Sequence, residues 1–201
     1  MRLPQILFLF LFLPFNLLLA QKEEWKLSKQ ADNISVFTRN VAQTNFKEVR
    51  SVTKMPIAAS DLLELVNDYS SIQPWRYKVK EMKLLDGDPM GAHYLYFVLN
   101  LPIPLSDRDF VLQIETERKS DGRILINFDA VSDQLPAQEG KVRMNKMKGF
   151  WELKPLASNI TEVTYQYLSD PAGVPAWIVN LFTVNAPFQA LSGLRASVGK
   201  N

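Results

Sequence analysis

Apolar and polar residues alternate with a period of two through most of the chain and with a period near 3.6 in two stretches, and these changes of period divide it into elements. Residues 34–41 and 46–55 are rich in Val, Phe and Thr and are joined by Ala42-Gln43-Thr44-Asn45, a hairpin pattern. Leu62, Leu63, Val66 and Tyr69 then share one face of a helix predicted over 58–69, with Ser60 or Asp61 as its cap after Pro56. Further strands are predicted over 79–85, 92–101, 110–119, 123–132, 141–153 and 161–168, divided by turn formers such as Asp86-Gly87-Asp88-Pro89 and Ser120-Asp121-Gly122. Short connections between successive strands predict an antiparallel meander. Phe110, Leu112 and Ile114 alternate with Gln113, Glu115 and Glu117, as Val163, Tyr165 and Tyr167 do with Glu162, Thr164 and Gln166, so the sheet buries one face. Its cover is the C-terminal segment, where Trp177, Leu181, Val184, Phe188, Leu191, Leu194 and Val198 recur at helical spacing. Pro175 suits the first turn of that helix, and Pro187 should kink it near Thr183. The fold class is α+β, a curved antiparallel sheet around one long helix. The space between the layers is either a solid core or an apolar cavity of the kind that takes a small molecule.

Residues 1–20 read MRLPQILFLFLFLPFNLLLA, one positive charge ahead of an apolar run that ends in Ala20. This is the pattern of a secretory signal peptide, with cleavage after Ala20 favoured over a retained anchor, leaving a single domain over 21–201 exported to a periplasmic or extracellular space. The 201 residues include 23 Lys+Arg against 21 Asp+Glu, a net charge of +2 with the signs interspersed. A nucleic-acid partner needs a clustered basic face and is excluded. The absence of Cys removes disulfides, thiolate nucleophiles and cysteine metal sites. His93 is the only histidine, and no Gly-x-Ser-x-Gly elbow accompanies it, so a hydrogen-bonded or surface His is favoured over a catalytic base. Asp107 and Asp109 offer two carboxylates without a third ligand nearby. No catalytic group, metal or cofactor is expected.

Four motifs in order carry a family resemblance. Trp75 is followed by Val79-Lys80-Glu81-Met82; Ser106-Asp107-Arg108-Asp109-Phe110-Val111 comes next; then Val142-Arg143 with Trp151 to Pro155; then Gly173-Val174-Pro175-Ala176-Trp177 leading into the last helix. Together they resemble the START family of lipid-transfer domains, within the helix-grip superfamily that also holds polyketide cyclases. The resemblance implies a helix-grip fold enclosing one hydrophobic ligand, a phospholipid, sterol or polyisoprenoid-like molecule, beneath the C-terminal helix. It implies carriage rather than chemistry, by a monomer in transient contact with membranes. Sterol carriers of the family place an acidic residue and an Arg on the strands around the Arg-Asp-Phe motif. By ungapped spacing those positions here are Leu95 and Ile114, which implies a more apolar tunnel.

The candidate ligand-binding residues are the large aromatic and apolar side chains on the sheet and last helix, with their hydroxyl handles: Trp75, Tyr94, Tyr96, Phe128, Trp151, Tyr165, Tyr167, Trp177, Leu181 and Phe188. Arg108 joins them, although adjacent strand residues point to opposite faces and a role in fixing the preceding turn is favoured for it and Asp109. Arg143 completes the set, either pointing inward to hold a carboxylate or phosphate or snorkelling to solvent. Two segments are candidate lids: the C-terminal helix with Pro187, and the loop over 132–140. Against the carrier stand two alternatives, a cyclase or aromatase using Tyr, His93 or Arg108 in the same cavity, and a ligand-gated interaction module.

Overall fold

The computed structural model describes residues 23–102 and 104–199. The expected signal peptide over 1–20 lies outside them. The chain runs β1 (Lys26–Ala31), β2 (Ile34–Arg39), β3 (Glu48–Met55), α1 (Ala59–Val66), β4 (Val79–Gly87), β5 (Ala92–Leu99), β6 (Arg108–Arg118), β7 (Ile124–Val131), β8 (Val142–Arg143), β9 (Lys146–Ala157), β10 (Ile160–Asp170), α2 (Ala176–Phe182) and α3 (Asn185–Val198). The strands form one sheet in the order β1-β2-β3-β10-β9-β7-β6-β5-β4, with β8 added parallel to the start of β6. A meander therefore covers β4 to β10, and antiparallel pairing of β10 with β3 joins the N-terminal ribbon to it. Helix α3 lies across this sheet and buries Phe188, Leu191, Leu194 and Val198. This is the α+β helix-grip arrangement.

The departures from expectation have local causes. Strand β1 was not predicted, because Lys26–Ala31 is mostly exposed and carries little alternation. It pairs with β2 through Asp32 and Asn33, both at positive φ, the two-residue turn that matches strand twist. The strand expected over 141–153 divides. Met144 N–H donates to the Asp109 carbonyl, which holds β8 on β6, and the chain then turns to pair as β9 with β7 and β10. Helix α1 starts without a side-chain cap; Ala58 is its N-cap, and the Ser60 hydroxyl donates instead to Asp61. The C-terminal helix is interrupted at Thr183 and Val184, so Pro187 falls in the first turn of α3, where its missing N–H costs no helical bond.

Candidate functional site

A cavity of about 240 Å³ lies between the concave face of the sheet and the helices. Strand parity builds it. Leu95, Phe97 and Leu99 of β5, Phe110, Leu112 and Ile114 of β6, Ile126 and Phe128 of β7, and Tyr165 and Tyr167 of β10 are alternate residues that all line it. The end of α1 adds Val66 and Asn67, the following segment adds Tyr69, Trp75, Arg76 and Tyr77, and α3 contributes Ala186 and Ala190. Leu95 and Ile114 are among the apolar lining. Gly193 lets α3 close down on this wall: a Cβ there would stand 2.8 Å from Trp75 Cα.

One flank of the cavity is a run of stacked rings. Trp151 and Tyr165 stack with centroids 4.0 Å apart, Tyr165 meets Tyr167 at 4.9 Å, and Trp75 meets Trp151 edge-on at 6.2 Å. Burial pushes the Tyr165 and Tyr167 hydroxyls well above the ordinary tyrosine range, so both stay neutral donors at physiological pH. The polar groups collect at the end of α1. Arg76 Nη2 donates to the Val66 carbonyl at 2.8 Å and the Asp68 carbonyl at 3.4 Å, covering free carbonyls of that helix end. Its guanidinium lies 4.3 Å from the Trp75 ring centroid and 5.2 Å from that of Tyr69. Burial lowers its pKa to about 10, so it remains a cation. Beside it the Tyr69 hydroxyl lies 2.8 Å from His93 Nε2 and 3.0 Å from Asn67 Oδ1, while His93 Nδ1 lies 3.1 Å from the Asp88 carbonyl.

Of the sequence-predicted residues, the structure brings Trp75, Phe128, Trp151, Tyr165 and Tyr167 together around the cavity. Tyr94 and Tyr96 lie on the opposite face of β5, where Tyr96 is buried with Val98 and Val111 beneath Leu135. Arg108 is buried away from the cavity and donates to the carbonyls of Ser106, Pro171 and Ala172, so it fixes the turn before α2. Arg143 neither points into the cavity nor snorkels: it pairs with Asp109 at 2.8 Å and donates to the carbonyls of Leu135 and Pro136. Those bonds fasten the 132–140 loop to the outer face of the sheet, which removes it as a lid. Trp177 and Leu181 are 69% and 64% exposed on α2. Phe188 is buried on α3 under Lys29, whose Nζ stands 3.6 Å from the ring centroid. Arg76, Tyr69 and Asn67 were not anticipated, since a pattern reading assigns a lone charge between Trp75 and a strand to solvent.

Residues 15–201 match the START domain family. The chain belongs to it. A STAR-related lipid transfer protein from Xanthomonas axonopodis, solved as a fragment, superposes with a TM-score of 0.81 at 34% identity, over 87% of this chain and 98% of that one. An uncharacterized Pseudomonas aeruginosa protein, PA1579, is 34% identical over 182 residues, 90% of each chain. Phosphatidylcholine transfer protein of Bos taurus is 24% identical over 162 residues, 78% of this chain and 75% of its own. The START fold thus accounts for the four motifs as structure. In this START domain the Arg-Asp-Phe segment supplies the Arg108 turn clamp, the buried Asp109–Arg143 pair and the cavity-facing Phe110.

Proposed function

We propose that this START domain is an exported carrier that takes one hydrophobic ligand, a phospholipid, sterol or polyisoprenoid-like molecule, from a membrane and shields it between the sheet and α3. The observation that carries this reading is the apolar cavity itself: strands and helices converge on a lining of hydrocarbon and rings, so tail burial supplies affinity of roughly 0.8 kcal/mol per CH2. Export rests on the signal-peptide pattern of residues 1–20, and the chain is read as a monomer over 21–201. Carriage is favoured over a cyclase because both ring nitrogens of His93 are engaged and the residue is 1% exposed, leaving no free base for a substrate.

Membrane contact is assigned to α2. This helix has no fully buried side chain, presents Trp177 and Leu181 one turn apart with Phe182 beside them, and borders the Thr183–Val184 break that separates it from α3. It is held by Asn180, whose Oδ1 accepts from the Lys47 N–H and whose amide donates to the Asn45 carbonyl. Among the described residues no helix is long and apolar enough to cross a membrane. The test is transfer of a fluorescent-tailed phospholipid between donor and acceptor vesicles. Transfer should rise in proportion to protein concentration, and a rate equal to that without protein, for this lipid and for a fluorescent sterol and polyisoprenoid alike, contradicts the reading.

A further inference from the structure

The ligand's polar end is legible in the groups the cavity wall leaves unsatisfied. A buried guanidinium is normally compensated by a carboxylate, because desolvating the charge alone is expensive. Arg76 has no such partner within the described structure: the carboxylate of Asp68, whose backbone carbonyl it touches, is engaged with Ser70 and Gln73. Only Nη2 is used, by the carbonyls at the end of α1, and Nε is buried with no acceptor. The adjacent Trp75 is 4% exposed, and its indole N–H is likewise buried with no acceptor. Two neighbouring residues of the cavity wall thus hold unspent N–H donors and an uncompensated positive charge, in a lining otherwise made mostly of side chains such as Leu95, Phe97 and Leu112. A ligand that completes this wall brings negative charge and more than one acceptor oxygen. A sterol hydroxyl or a hydrocarbon end does neither.

Building on the carrier reading, we propose that the ligand is a lipid with an oxyanion head, phosphate or carboxylate, held inside the cavity by the Arg76 guanidinium and the Trp75 indole N–H. Such charge-assisted bonds in a desolvated site select strongly for the anion over a neutral head on the same tails. Gly193 keeps this wall in place by seating α3 directly on Trp75.

The experiment measures binding of dioleoyl phosphatidic acid, oleic acid and dioleoylglycerol to the purified full chain, by displacement of a fluorescent fatty-chain probe. The oxyanion lipid should bind about tenfold or more tighter than dioleoylglycerol, and whichever of phosphatidic acid and oleic acid carries that preference identifies the head as phosphate or carboxylate. Arg76→Met should abolish the preference, bringing the affinity for the oxyanion lipid down to that for dioleoylglycerol in the same variant, while Arg76→Lys should keep part of it. Equal affinity of the wild type for all three lipids, or a preference that survives in Arg76→Met, overturns the oxyanion assignment and leaves the carrier reading standing. Failure of all three to bind overturns the oxyanion assignment, and failure of the fluorescent fatty-chain probe to bind as well overturns both. The wild-type comparison is independent of how the variants fold.

Discussion

Asp109 is fully buried, and its carboxylate meets the Arg143 guanidinium 2.8 Å away on the outer side of the sheet. Removing one partner strands the other charge, so Asp109→Ala should cost about 3–5 kcal/mol in a denaturant melt, whereas replacing both with apolar residues should recover most of it. His93 provides a second residue-level test. Nδ1–H donates to the Asp88 carbonyl, the Tyr69 hydroxyl beside Nε2 gives its one proton to Asn67 Oδ1, and burial holds the His93 pKa below the ordinary histidine value. As pH falls below about 6.5 the unfolded chain takes up this proton before the folded one does, so stability is full above pH 7 and declines on acidification. The melting temperature should drop between pH 7 and pH 5, and His93→Gln should flatten that slope; an unchanged slope contradicts the assignment.

At this scale the sequence was readable where alternation was clean. Tyr165 and Tyr167 alternate with polar residues, and both line the cavity. On β5 the run Tyr94-Leu95-Tyr96-Phe97-Val98-Leu99 has no polar phase, because the 132–140 loop covers its outer face with Leu135 while the cavity takes the inner one. With both faces apolar, parity carries no information, and the hydroxyl-bearing residues were assigned to the wrong side. Arg76 was missed for a related reason: its surroundings are made by α1 and Trp75 in space, not by its sequence neighbours.

Among elements, α2 stands apart from α3. Both are apolar by sequence, and helical spacing joined them into one helix; only packing separates them, since α3 is anchored by Phe188, Leu191 and Leu194 while α2 has no fully buried side chain. Exposed Trp177 and Leu181 make no contribution to the core, so Trp177→Ser with Leu181→Ser should change stability by no more than about 0.5 kcal/mol. The same pair should weaken association with vesicles by about tenfold, in keeping with the loss of an interfacial Trp and a buried Leu. Vesicle association equal to wild type contradicts the docking role. The strand pattern from β4 to β10 was legible because turn chemistry marks its boundaries. β1 and the division of β8 from β9 were not, because polar edge strands and backbone-directed changes of partner leave no periodicity to read.

Apolar and aromatic side chains from six strands meet around the cavity without filling it, and α3 crosses above them on small residues, Ala186 and Ala190 at the cavity and Gly193 at Trp75. The helix-grip layout was readable from the order of motifs and the long C-terminal apolar pattern. The existence and extent of the cavity were not, because volume depends on how side chains from distant strands meet. The most direct test of the carrier account is native mass spectrometry of the chain purified without detergent, with extraction and identification of whatever is bound. The account predicts a discrete adduct of one lipid mass per chain. A clean unliganded mass that persists after incubation with mixed membrane lipids contradicts it.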